Sequence, residues 1–182
     1  MDLLPDTGVR VPSPAKGASI PTAGQVVIRS IPAAAVGLLG LPLLGRFLPP
    51  DVGEGWWFLS ALAIMASTFL VLYLVQAPRP RFDKQVSQER WSWSLAYVAK
   101  YRSVSTDPGV RTAAALAACS EIEFFIVHVG IVVGGVLGNV IRPEFLWLSF
   151  VGAATGAALV AAFRLRRSWI YLRLVHSKAM IE

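Results

Sequence analysis

The stretch DPGVRTAAALAACSEIEFFIVHVGIVVGGVLGNVIRP, residues 107–143, decides the fold. Asp107 is a helix N-cap residue, and Pro108 suits the first helical position, where its missing N–H costs nothing. At the far end, the residue before Pro143 is driven out of the α region. A continuous helix between these marks runs about 51 Å at 1.5 Å per residue. The hydrocarbon core of a bilayer is only about 30 Å thick. From Phe124 to Ile141 no residue carries a formal charge, so this part is long enough to cross. The rest of the helix is expected to project from one face.

Three further segments have the same character. Residues 26–48 (VVIRSIPAAAVGLLGLPLLGRFL) are the weakest. Arg29 and Arg46 leave a short apolar interval, and Pro42 is expected to kink or break the helix, so a re-entrant segment competes with a full crossing. Residues 56–76 carry no charge and make a clear span. Residues 145–163 form the fourth, with the expected crossing of residues 107–143 centred on 112–141. The expected fold is therefore all-α: a polytopic membrane protein with four transmembrane helices in two hairpins, flanked by basic amphipathic interfacial segments. Residues 1–24, with four prolines, read as a flexible cytoplasmic tail and not as a signal peptide. Residues 25–182 read as one four-span membrane domain, with a cytoplasmic loop at 77–107 and a basic helical tail at 164–182. Within the loop, Trp91, Leu95, Val98 and Tyr101 recur at helical spacing. Trp91, Trp93, Leu95 and Tyr97 also alternate, so a short strand competes with the preferred interfacial helix.

The chain has 182 residues, 55% of them apolar, and a formal net charge of +6. With both termini inside, 15 of the 17 Lys and Arg lie on the cytoplasmic side, and only Arg46 and Arg142 lie outside. That bias explains the basic balance without nucleic acid, which is not an expected partner. Trp56, Trp57 and Trp147 are expected as anchors at the outer interface, and Trp91, Trp93 and Trp169 at the inner one.

The helix at 107–143 carries two special faces. Glu121, His128 and Asn139 fall within about 20° of one line. Cys119 and Glu123 lie on roughly the opposite line, with Gly130, Gly134 and Gly138. Glu121 and Glu123 sit at the edge of the apolar run, within reach of cytoplasmic arginines. His128 lies deeper, which marks it as a candidate proton site. A structural polar seam is the preferred reading, with Ser60, Ser67, Thr68 and Tyr73 of the second span as available partners. The glycine line admits another backbone at close range. Its expected partner is the fourth span, whose Gly152 and Gly156 offer a similar surface. Self-association is the alternative.

No nucleophile elbow, HExxH, P-loop or dinucleotide fingerprint occurs. One cysteine and two histidines supply no classical metal or haem site. The balance is against an enzyme, and no cofactor is assigned. The expected role is a non-catalytic subunit that packs into a larger membrane complex for transport, secretion or energy conversion. A hetero-complex is favoured over a homo-oligomer. The alternatives are a homo-oligomeric channel or proton-coupled carrier using His128, Glu121 and Glu123, and a membrane-shaping hairpin protein. A bacterial inner membrane is the expected location, and an organellar membrane fits nearly as well.

Overall fold

The computed structural model describes residues 19–49, 53–76, 79–80, 86–144 and 147–178. The expected tail lies outside the described residues up to residue 18, as do the first two residues of the fourth span and part of the loop at 77–107. The described residues form five α-helices and no strand: α1 (Ala23–Phe47), α2 (Glu54–Val75), α3 (Gln88–Tyr101), α4 (Pro108–Ile141) and α5 (Trp147–Lys178). All but α3 are long and apolar enough to cross a bilayer. By length and composition the chain is an integral membrane protein.

Each helix starts where the local chemistry directs it. Thr22 and Gln25 form a reciprocal capping box at the head of α1. Asp107 caps α4, accepting from the amides of Gly109 at 2.8 Å and Val110 at 3.3 Å. Its other oxygen accepts from Arg90 of α3 at 3.0 Å, which ties the loop helix to the start of α4. The ambiguity over residues 91–101 is resolved as helix, because Leu95 and Val98 share one buried face with Ser94.

α1 is one continuous helix of 25 residues, with Pro32 and Pro42 inside it. It reaches about 37 Å, so it has the length of a full crossing and not of a re-entrant loop. α5 is also longer than its apolar part. The basic segment after Phe163 continues the same helix to Lys178.

α4 is the centre of the bundle, with α1 and α5 packed along it on different sides. α2 packs mainly on α1, and α3 lies across α4 and α5. Two cores are stacked along this axis. One joins Ala23 and Val26 of α1, Leu95 and Val98 of α3, Ala114 to Ile122 of α4, and Tyr171 and Leu172 of α5. The other joins Ala33 and Leu41 of α1, Trp57 and Ala61 of α2, Val127 and Ile131 of α4, and Trp147 and Ala154 of α5. The start of α1 and the end of α5 thus meet at the same end of the bundle, where His176 Nε2 lies 3.1 Å from the Ile20 carbonyl. Tyr171 closes that end by donating its hydroxyl to the Arg111 carbonyl at 3.1 Å.

α1 and α4 run parallel, and their contact is backbone on backbone. A Cβ on Gly130 would fall 2.5 Å from the Ala34 carbonyl oxygen, and one on Gly134 would fall on the Gly37 carbonyl. The glycine line therefore packs within the chain, with Gly130 and Gly134 against α1 and Gly138 against Trp147 of α5. The expectation that it would meet the fourth span holds at Gly138 and is corrected at Gly130 and Gly134. α1 presents Ala33, Gly37 and Gly45 on one buried face with Leu41, four residues apart, and so matches the spacing of the α4 glycines. α5 uses a neighbouring face of α4, where Val151 and Phe150 cover Gly135.

Candidate functional site

The features that stand out chemically form a belt between the two cores, built on one turn of α4. Glu121 and Glu123 are two residues apart, about 200° around the helix, so they leave it on different sides. Glu123 is almost fully buried. Arg79, just beyond α2, donates to one of its oxygens, and the Gln76 amide donates to the other at 3.1 Å. Glu121 faces α5, where Arg167 donates at 2.8 Å and the buried Ser168 hydroxyl lies against its second oxygen. Each carboxylate thus has a guanidinium and a neutral donor. This satisfies the charge in a setting where an unpaired carboxylate costs several kcal/mol.

The two pairs fix geometry as well as charge. One locks the chain leaving α2 onto α4, and the other locks α5 onto α4 at the same height. Beyond the belt, Phe124 to Ile141 span about 27 Å, close to the hydrocarbon thickness. The belt therefore stands at one edge of the apolar slab. The neighbouring core of α1, α3, α4 and α5 lies on the other side of the belt from this apolar stretch.

His128 does not join this belt. Its Nδ1 lies 2.8 Å from the carbonyl of Phe124, one turn back in its own helix. Its ring stacks on Phe124 at 3.8 Å between centroids, with Phe69 of α2 at 6.0 Å. Ser67 and Thr68 do not reach it, because each hydroxyl bonds back to the carbonyl four residues earlier in α2. Asn139 is half-buried near the other end of α4. The structure separates Glu121, His128 and Asn139: they share a line on the helix but no hydrogen bond. His128 is a packed aromatic with one local bond. His128→Phe is accordingly expected to cost about 1 kcal/mol or less. Thermal unfolding of the purified protein in detergent checks this, and a loss several times larger would reveal a polar partnership.

Gly138 has a different use from the other two glycines of its line. A Cβ there would lie 2.5 Å from the Trp147 indole, so Gly138 is the floor of a socket for that ring. Trp147 is fully buried, donates Nε1 to the Arg142 carbonyl at 2.9 Å, and meets Trp57 edge-on at 5.1 Å. Trp57 and Trp147 thus face each other inside the bundle, where they cannot serve as lipid anchors. Among the expected anchors, Trp56 and Trp93 point outward at 69% and 63% exposure. Trp91 and Trp169 rest against the edge of the first core.

Gly152 and Gly156 have no described atom within 4 Å of where a Cβ would stand. With Ala153 they form an open surface on α5. The signal that would have distinguished them from the α4 glycines lies in α1. Ala33, Gly37 and Gly45 make α1 the better match for α4, which leaves α5 with one small-residue face free.

No group of three His, Cys, Asp or Glu side chains able to hold a metal occurs among the described residues. Compared with protein-family models, with curated proteins and with solved structures, the chain has no match.

Proposed function

We propose that this chain is a non-catalytic integral membrane subunit that packs into a larger membrane protein complex, serving transport, secretion or energy conversion. It is set in two hairpins, with N- and C-termini both cytoplasmic. A bacterial inner membrane is the favoured location. The observation that carries this reading is the open α5 surface of Gly152, Ala153 and Gly156. Gly37, Gly40, Gly45, Gly130, Gly134, Gly135 and Gly138 are all met from within the chain, whereas Gly152 and Gly156 are open, as are Gly24, Gly53 and Gly55 at the starts of α1 and α2. Small residues in a membrane helix admit a second helix at short range, and here that place is vacant.

The belt supports the same reading. Its two carboxylates are neutralised by arginines and hold helices together, so they do not line a polar route. The aromatic face of α3 adds a second contact surface. Trp93, Tyr97 and Tyr101 stack in sequence at 4.9 and 4.5 Å on its outer side, with Lys100 5.0 Å from the Tyr101 ring. Such a face suits the headgroup region, with the basic side toward the cytoplasm.

The test is the native mass of the tagged protein extracted in a mild detergent, with every co-purifying chain identified. The expected result is one or more larger membrane proteins in fixed ratio. Gly152→Leu with Gly156→Leu is expected to reduce that recovery at least tenfold and to leave the unfolding temperature of the isolated chain unchanged, because no described atom lies within 4 Å of where a Cβ would stand there. A clean homo-oligomer without another protein would replace the subunit reading with the channel.

A further inference from the structure

α4 and α5 do not close completely on the side away from α1. A shallow apolar groove runs between them, lined by Phe125, Val129 and Val133 of α4 and by Ala158, Leu159 and Ala162 of α5. From Phe125 to Val133 it is about 12 Å long. Val129, Val133 and Leu159 are 40%, 43% and 56% exposed, so the groove opens sideways, toward the hydrocarbon.

One end of the groove leads to cationic side chains. On an ideal helix Arg166, Trp169 and Arg173 lie within about 40° of Ala162, one to three turns further along α5. They therefore continue the same face past the end of the apolar segment. Side chains on a helix lean toward its N-terminus, which for α5 means back toward the groove. Arg173 does this, with its guanidinium 5.7 Å from the centre of the Trp169 ring. Among the described residues no carboxylate pairs with Arg166 or Arg173. The nearby Glu121 is taken by Arg167. The shallow apolar groove thus leads toward the Arg166 and Arg173 guanidinium groups and the Trp169 indole.

We propose that this is a binding site for an anionic phospholipid, with one acyl chain in the α4–α5 groove and the phosphate held by Arg166 and Arg173. Basic sites between transmembrane helices select anionic headgroups through charge and donor geometry. The apolar groove supplies the part of the affinity that a headgroup alone lacks. The proposal does not rest on the subunit reading and uses the adjoining face of α5, with Leu159 at the boundary between the two.

The test reconstitutes the full chain into mixed phosphatidylcholine and phosphatidylglycerol bilayers, then measures which lipids stay bound in native mass spectrometry after gentle extraction. The expected result is retention of phosphatidylglycerol over phosphatidylcholine by about tenfold or more. Arg166→Gln and Arg173→Gln each lower that preference about fivefold. Arg29→Gln, an exposed charge on α1, leaves it unchanged. Equal retention of the two lipids in the wild-type protein would overturn the site. So would an equal loss with Arg29→Gln, which would indicate diffuse attraction by the whole basic surface. Displacement of the lipid by millimolar inorganic phosphate would show a simple anion site, and a protein segment found in the groove would show a helix in its place; either result removes the lipid.

Discussion

Gly134→Leu is expected to destabilise the protein more than any other substitution in the α1–α4 contact. The Gly37 carbonyl oxygen stands where the first side-chain atom would go, and the Cα of Leu38 is 3.0 Å from the same point. These are backbone atoms of a continuous helix, so no rotamer change relieves the clash. α1 must move away from α4 as a body, which also opens the contacts at Gly130 and Ile131. Overpacking a tight interior commonly costs 1–3 kcal/mol, and here about 3 kcal/mol is expected because the obstacle is backbone. Gly134→Ala should already show much of the effect. Thermal unfolding in detergent, compared with Gly152→Leu, is the measurement. The α5 variant is expected to unfold at the wild-type temperature, although both changes place a leucine in a small-residue motif.

Glu123→Ala is the second large effect. It leaves the Arg79 guanidinium without its carboxylate at a site where the arginine side chain is only 17% exposed. Breaking a buried pair by removing one member costs 3–5 kcal/mol, and about 3 kcal/mol is expected because Arg79 keeps some access to water. The interaction is cooperative, since Gln76 depends on the same carboxylate. Removing both charges with apolar residues of similar size, Glu123→Leu with Arg79→Met, is expected to recover most of the loss. A double-mutant cycle on unfolding free energies measures the coupling directly. The corresponding change at Glu121 is expected to be milder, because that carboxylate and Arg167 are 14% and 26% exposed.

The sequence makes the long elements legible because their signals are local. Asp107-Pro108 at one end and Arg142-Pro143 at the other bracket α4 to the residue. The absence of charge from Phe124 to Ile141 locates its apolar part. The two faces of α4 are also readable, since the angle between residues on a helix depends on spacing alone. Glu121 and Glu123 do leave the helix on different sides and find arginines. What spacing does not give is which helix meets which face. α1, with its two prolines and flanking arginines, reads as the least secure span, yet it carries small residues at 33, 37 and 45. These positions, not the glycines of α5, match Gly130 and Gly134. Trp57 and Trp147 depart from the expected anchors for a related reason. A Trp near a span end reads as an interfacial anchor, but Gly138 leaves a hole that only a large ring fills, and Trp147 occupies it with Trp57 at its edge. Depth alone marks His128 in the sequence. Its local bond to Phe124 and the ring stack take up that polarity without another helix.

In the proposed subunit, α5 is expected to meet a helix of another protein at Gly152, Ala153 and Gly156. The most direct measurement places a photo-activated cross-linking amino acid at Ala153 of the full chain in its native membrane and identifies the adducts by mass. A covalent adduct with one other membrane protein is expected, abolished when Gly152 and Gly156 are both leucine. Adducts with lipid alone at Ala153, in intact membranes at native abundance, would contradict it.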